Sequence, residues 1–144
     1  MARKVNPPAD VRAALEELLG ESVRTVQVVE YSWFARAHIR AVATTRPRRI
    51  YLRGSASEFF SDPILTLHEY CHVTCQWQPG RLTVFRYLLE WFRRGYWDNR
   101  FEIEAREFAD DNVYRYRALL ARHREPGAVA PVLADTPASL FLSR

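Results

Sequence analysis

Cysteine and long apolar runs are scarce in this 144-residue chain. Its two cysteines, Cys71 and Cys75, are one helical turn apart, which is a poor geometry for a disulfide within a regular helix. No apolar run is long enough to span a bilayer, and residues 1–10 lack the apolar stretch of a signal peptide. We therefore expect a protein that stays in the cytoplasm or is exported without a cleaved signal.

The composition is typical of one folded domain. Hydrophobic residues make up 48% of the chain and aromatic residues 13%, enough for a sizeable core at this length. We place that domain at residues 1–125 and expect a proline-containing tail at residues 126–144. The net charge of +4 comes almost wholly from arginine. Such arginine runs are typical of a solvated face, so nucleic acid is not an expected partner.

Hydrophobic periodicity predicts an α+β fold with an N-terminal helix, a small sheet of about three strands and three later helices. The predicted helices cover residues 8–19, 63–77, 82–94 and 101–124, and the predicted strands cover residues 23–31, 37–44 and 49–53. Residues 54–61 are expected to form a polar loop. The buried side of the helix at 82–94 is expected to carry its apolar residues: Val84, Phe85, Leu88, Leu89 and Phe92.

The segment His68-Glu69-Tyr70-Cys71-His72 reads HExxH. Two histidines four residues apart lie on one side of a helix, so both imidazoles can reach one zinc ion. Glu69 is then placed to accept a proton from a water molecule that zinc activates. Asp62-Pro63 supplies an N-cap and a first helical residue, which supports a helix beginning here. The sequence thus predicts His68 and His72 as zinc ligands and Glu69 as general base.

A catalytic zinc site usually takes three protein ligands. The predicted helix at 101–124 offers three glutamates, and helical spacing separates them. Glu102 shares a face with small and apolar residues, whereas Glu104 shares one with charged residues. We therefore predict Glu102 as the third ligand, with Glu104 as the fallback. The face of Glu102 also carries Ala105, Ala109, Val113 and Tyr116.

Other candidate ligands fit less well. Cys75 lies seven residues after His68 on nearly the same face, and a thiolate binds zinc well, so it is an alternative third ligand. A buried structural thiol is the commoner role of such a residue. His38 and His123 fall outside any ligand spacing.

The pattern His68-Glu69-x-x-His72 with Glu102-x-x-Ala105 resembles that of the gluzincins, the thermolysin-like and minimal gluzincin peptidases. The chain is also similar, over roughly residues 7–110, to a bacterial domain of unknown function. That domain is found in loci of extracellular contractile injection systems, and its helix reads HE-x-x-HV-x-Q. The segments that carry this similarity are residues 7–16, 23–28 and 67–76.

The resemblance implies a zincin-like domain that hydrolyses peptide bonds, with His68, His72 and Glu102 on zinc and Glu69 as base. Tyr96, Tyr31 and Tyr114 are candidates for stabilising the oxyanion. Related families often carry an aspartate four residues after the ligand glutamate to orient a histidine. Arg106 stands at that position here, and Asp98 or Asp110 are possible substitutes.

Two functions follow. The first is a zinc metallopeptidase acting on a peptide or protein substrate. The alternative is a catalytically inactive zinc-binding adaptor of a secretion or contractile injection apparatus. An inhibitory protein partner is compatible with the first.

Overall fold

The computed structural model describes residues 1–37 and 43–124, which form an α+β fold. Within these residues there are six helices and a four-stranded mixed sheet. The strands are β1 (Arg3–Val5), β2 (Gln27–Glu30), β3 (Ala43–Arg46) and β4 (Arg49–Leu52). The helices are α1 (Ala9–Leu19), α2 (Trp33–Ala37), α3 (Ala56–Ser61), α4 (Pro63–Cys71), α5 (Val84–Arg94) and α6 (Arg100–Arg124). The α+β class that the sequence predicts is confirmed. None of the described helices combines the length and apolar character needed to cross a membrane.

The strand order is β1-β2-β4-β3. β2 and β4 are parallel, while β1 and β3 pair antiparallel with their single neighbours. Among the described strands, β3 therefore lies at an edge of the sheet. The sheet has one strand more than expected because β1, with three residues, is too short to show an alternating pattern.

One predicted strand starts too early, and one predicted loop was wrong. The strand predicted at 23–31 begins only at Gln27, because Glu21–Thr25 forms a 3₁₀ turn that buries Val23 and leads out of α1. The loop predicted at 54–61 contains α3. The Ser55 side chain accepts a hydrogen bond from the Glu58 backbone N–H, which caps this helix, and Phe59 and Phe60 lie in the core.

Two other predictions concern residues that the structure does not describe, one of them in part and the other entirely. The strand predicted at 37–44 corresponds to β3 only from Ala43, since Ala37 ends α2 and residues 38–42 are not described. The predicted tail at 126–144 lies wholly outside the described residues.

The helices after the sheet follow their predicted ranges, but α5 has the opposite orientation to the one expected. Val84, Phe85, Leu88 and Phe92 are exposed, and the residue of α5 that is buried is Glu90. The prediction that its apolar side is buried was wrong. Periodicity shows which side of a helix is apolar, but it does not show which side meets the rest of the protein.

Candidate metal centre

Helix α4 begins where its capping residues predict. The Asp62 Oδ1 accepts a hydrogen bond from the Leu65 backbone N–H at 3.0 Å, and Pro63 occupies the first turn. Leu67 and Tyr70 are fully buried in the core. Because these two residues fix the rotation of the helix, the side of α4 that carries the histidines borders a cavity.

That cavity has a volume of about 210 Å³ and lies between α4, α5, α6 and the edge strand β3. His68, Glu69, His72 and Glu102 all line it, so the four predicted site residues share one cavity. Its other lining residues include Ala43, Thr44, Thr45 and Arg46 of β3 and Tyr87, Leu88 and Tyr96 around α5.

The three predicted ligands present their donor atoms to one point. The Nε2 atoms of His68 and His72 are 3.1 Å apart, and Glu102 Oε2 lies 3.1 Å from the first and 3.5 Å from the second. Ligand atoms bound about 2.1 Å from a tetrahedral zinc ion lie about 3.4 Å from one another. The three separations fit that spacing, and the chemistry of two imidazoles and a carboxylate suits zinc.

Helix α6 carries small residues on its inward face in the two turns after Glu102. Ala105 and Ala109 are fully buried there, and such small side chains let neighbouring helices approach closely. The predicted buried face of this helix is confirmed. Glu104 instead forms a bidentate ion pair with Arg81, with its Oε1 2.7 Å from Arg81 Nη1. The structure therefore brings together Glu102, and not Glu104, with the two histidines.

Gln76, to which no separate role was assigned from the sequence, contacts the ring of His72. After α4 the helix continues as a π-helical turn, His72–Trp77. Gln76 in this turn is fully buried, and its Nε2 donates a hydrogen bond to the Phe101 carbonyl at 2.9 Å. Its Oε1 therefore faces His72 Nδ1, 2.7 Å away, and accepts the Nδ1–H. In the neutral ring this contact keeps the proton on Nδ1 and the lone pair on Nε2, the atom that lies near His68 and Glu102.

Glu102 has a comparable partner. The Tyr87 hydroxyl of α5 donates a hydrogen bond to Glu102 Oε1 at 2.9 Å, so the other oxygen, Oε2, is the one near the histidines. No motif marks Tyr87, because its contact with Glu102 depends on how α5 lies over the start of α6.

The charges of the site favour a cation. Burial by itself raises the pKa of Glu102, but hydrogen bonds and charges from His68 and His72 lower it well below its usual value. Burial by itself lowers the pKa of His72, since it disfavours the charged imidazolium. Contacts with Glu102 and Glu69 outweigh burial and raise the pKa to about 9. Both shifts show a buried negative carboxylate that attracts positive charge, whether a proton or a metal ion.

Glu69 is almost fully buried beside this cluster. Burial raises its pKa above the usual value for a glutamate, and the charge of Glu102 adds to this effect while the two histidines oppose it. A carboxylate with a raised pKa is a better proton acceptor, which suits the role predicted for Glu69.

Of the three tyrosines predicted as oxyanion donors, only Tyr96 lines the cavity within the described residues. Burial and the nearby carboxylates of Glu102 and Glu69 raise the pKa of Tyr96 to about 12, so its hydroxyl remains a donor at neutral pH. Tyr114 is highly exposed on α6, and Tyr31 is exposed just after β2.

Arg106 has a different role from the aspartate of related families. Its guanidinium donates to the Trp97 carbonyl and lies over the Trp97 ring, 5.4 Å from the ring centre. Asp98 and Asp110 are exposed. The ring N–H of His72 is instead accepted by Gln76, which is not an aspartate.

The other residues considered as metal ligands do not join the cluster of His68, His72 and Glu102 within the described part of the chain. Among the described residues, the group of donors within 4.8 Å of one another contains His68, His72 and Glu102 but not Cys75. The Cys75 Sγ lies 3.6 Å from Thr74 Oγ1. His123 pairs with Glu17 near the opposite end of α6, and His38 falls outside the described residues.

Replacing Gln76 with methionine, Gln76→Met, is expected to weaken zinc binding by about 10- to 100-fold, because His72 would lose the acceptor that selects its tautomer. Competition with a chromophoric chelator measures this change. The matched control is Gln78→Met: Gln78 lies in the same segment but donates to Thr25 Oγ1. Equal zinc affinities in the two variants would contradict the role of Gln76.

Compared with protein-family models, curated proteins and solved structures, the chain matches none. Its function is therefore to be inferred from its own side chains and their arrangement.

Proposed function

We propose that this chain is a zincin-like, zinc-dependent peptidase of the minimal gluzincin type. One observation carries the proposal. Three donor atoms of His68, His72 and Glu102 lie 3.1–3.5 Å apart in a cavity that also contains the buried carboxylate of Glu69. An open cavity beside three ligands is typical of a catalytic zinc site, whereas structural zinc sites are closed by a fourth protein ligand.

Zinc held by these three residues would polarise a peptide carbonyl and make a water molecule more acidic. The chain's own residues supply the remaining steps. Glu69 accepts a proton from the attacking water and then passes it to the leaving amine, so that one side chain serves as base and as acid. Tyr96 donates a hydrogen bond to the oxyanion that forms at the attacked carbonyl.

The edge strand β3 offers a place for the substrate backbone. Residues Ala43–Arg46 pair with β4 on one side and line the cavity. An extended peptide that hydrogen-bonds to an exposed strand edge is held in a fixed register. A peptide aligned with β3 would pass beside His68, Glu69 and His72. This arrangement supports a polypeptide substrate over a small molecule.

The alternative function is a catalytically inactive zinc-binding adaptor of a secretion or contractile injection apparatus. It requires the same three ligands but no turnover. The cavity that reaches Glu69 favours the peptidase, because an adaptor has no need for a buried carboxylate next to the ligands.

Incubation of the purified chain with a diverse mixture of synthetic peptides tests the proposal, with products identified by mass spectrometry. We expect cleavage that stops when 1,10-phenanthroline removes zinc and resumes when zinc is added back. Stoichiometric zinc with no cleavage of any peptide would instead support the adaptor. Cleavage that survives complete removal of the metal would contradict both.

A further inference from the structure

Helix α5 has an apolar face that the described residues leave uncovered. It consists of Val84, Phe85, Leu88, Trp91 and Phe92. Phe85 is 74% exposed and Phe92 is 84% exposed. Exposed apolar residues are usually scattered singly over a protein surface, so a contiguous apolar face calls for an explanation. The exposed aromatic surface continues past Gly95 to Tyr96 and Trp97.

The inner side of α5 explains this orientation. Glu90 is only 6% exposed and faces inward. Its Oε1 lies 3.1 Å from Arg100 Nη2, and its Oε2 lies 3.5 Å from Arg94 Nε. Tyr87 reaches Glu102, and the Tyr87 carbonyl is 3.4 Å from Asn99 Nδ2. The polar residues of α5 therefore face the rest of the protein. Rotating α5 to bury its apolar face would break the hydrogen bond from Tyr87 to Glu102. The exposure of the apolar face thus follows from a contact that the candidate metal centre uses.

The polar side of α5 carries positive charge. At about 100° per residue, Arg93 and Arg86 lie about 140° and 160° round the helix from the centre of the apolar face. Arg94 lies about 120° from that centre in the other direction and pairs with Glu90. Within the described residues, Arg86 donates to the carbonyls of Gly80 and Arg81 and has no carboxylate partner, and Arg93 is exposed without an ion pair. Residues 81–100 contain five arginines against two carboxylates.

We propose that this apolar face inserts into the headgroup region of an anionic lipid bilayer. A short helix with aromatic and aliphatic residues on one side and arginines on its polar side is typical of helices that lie in the membrane interface. Tryptophan and tyrosine favour that region. At 11 residues α5 is too short to span a bilayer, so it would lie parallel to the surface. The uncompensated arginines complement anionic headgroups and select this occupant over a second copy of the chain, which carries the same positive charge.

Flotation with lipid vesicles tests the proposal. We expect the chain to float with vesicles of phosphatidylglycerol and phosphatidylcholine in equal parts, and to bind pure phosphatidylcholine far more weakly. Phe85→Ala combined with Phe92→Ala should abolish flotation. Both side chains are exposed, so the fold should be retained. Each of Arg86→Gln and Arg93→Gln should weaken binding about five-fold, and high salt should reproduce that loss.

Matched controls are Trp33→Ala and Tyr114→Ala, which remove equally exposed aromatic side chains outside α5 and should bind as the unchanged chain does. Because the readout is vesicle binding, it is independent of zinc and of peptide hydrolysis. The proposal is overturned if the unchanged chain does not float with anionic vesicles, or if the Phe85 and Phe92 double variant floats equally well. It is also overturned if sedimentation shows a dimer that this double variant abolishes while vesicles remain unbound.

Discussion

Replacing Glu69 with glutamine, Glu69→Gln, is expected to lower peptide hydrolysis by about 100-fold or more while zinc remains bound. The amide keeps the size of the side chain but cannot accept the proton of the attacking water. Glu69 is not one of the three clustered donor residues, so the ligand set is unchanged. Steady-state hydrolysis of a cleaved peptide measures the first effect, and elemental analysis of the same sample measures the second.

The matched control is Glu104→Gln. Glu104 lies on α6 two residues after Glu102, but its carboxylate pairs with Arg81 outside the cavity. This variant should retain both zinc and activity. Full activity in Glu69→Gln would show that another group is the base, and the proposed mechanism would then be wrong even if zinc is present.

Removal of one imidazole, His72→Ala, is expected to abolish stoichiometric zinc binding. The Nε2 atom of His72 lies 3.1 Å from His68 Nε2, and its loss leaves two ligands where a stable site needs three. Zinc at about 100 times its dissociation constant should stabilise the unchanged chain by about 2.7 kcal/mol. Thermal unfolding with and without zinc should therefore show a shift in the unchanged chain and none in His72→Ala.

His123→Ala is the control for this experiment. His123 also lies near an acidic residue, Glu17, but at the far end of α6. Its removal should leave zinc binding and the zinc-dependent shift in melting temperature unaltered. If His72→Ala still bound one zinc ion per chain with the same shift, the proposed centre would be in the wrong place.

Local patterns predicted the central part of the candidate site. The spacing of His68 and His72 depends only on helical geometry, and the start of α4 at Pro63 depends on its own capping residues. The choice of Glu102 over Glu104 followed from the small residues on one face of α6. Each of these inferences uses residues within one helix, where spacing along the chain determines spacing in space.

Contacts between separate helices were not predicted from the sequence. Gln76 reaches His72 within a π-helical turn and is held by the Phe101 carbonyl from another helix. Tyr87 reaches Glu102 because α5 lies over the start of α6. The contact between Tyr87 and Glu102 leaves no periodic signal. Gln76 lies four residues after His72, but the Phe101 carbonyl that orients its amide was visible only in three dimensions.

By itself the amino-acid sequence determined which residues are the candidate metal ligands and which helices carry them, because those inferences depend on neighbours a few residues away. Only the tertiary structure decided that the donor atoms of α4 and α6 meet beside an edge strand. It also decided that α5 turns its apolar side outward. Both outcomes depend on how separate helices pack, and packing is governed by contacts between residues far apart in the chain.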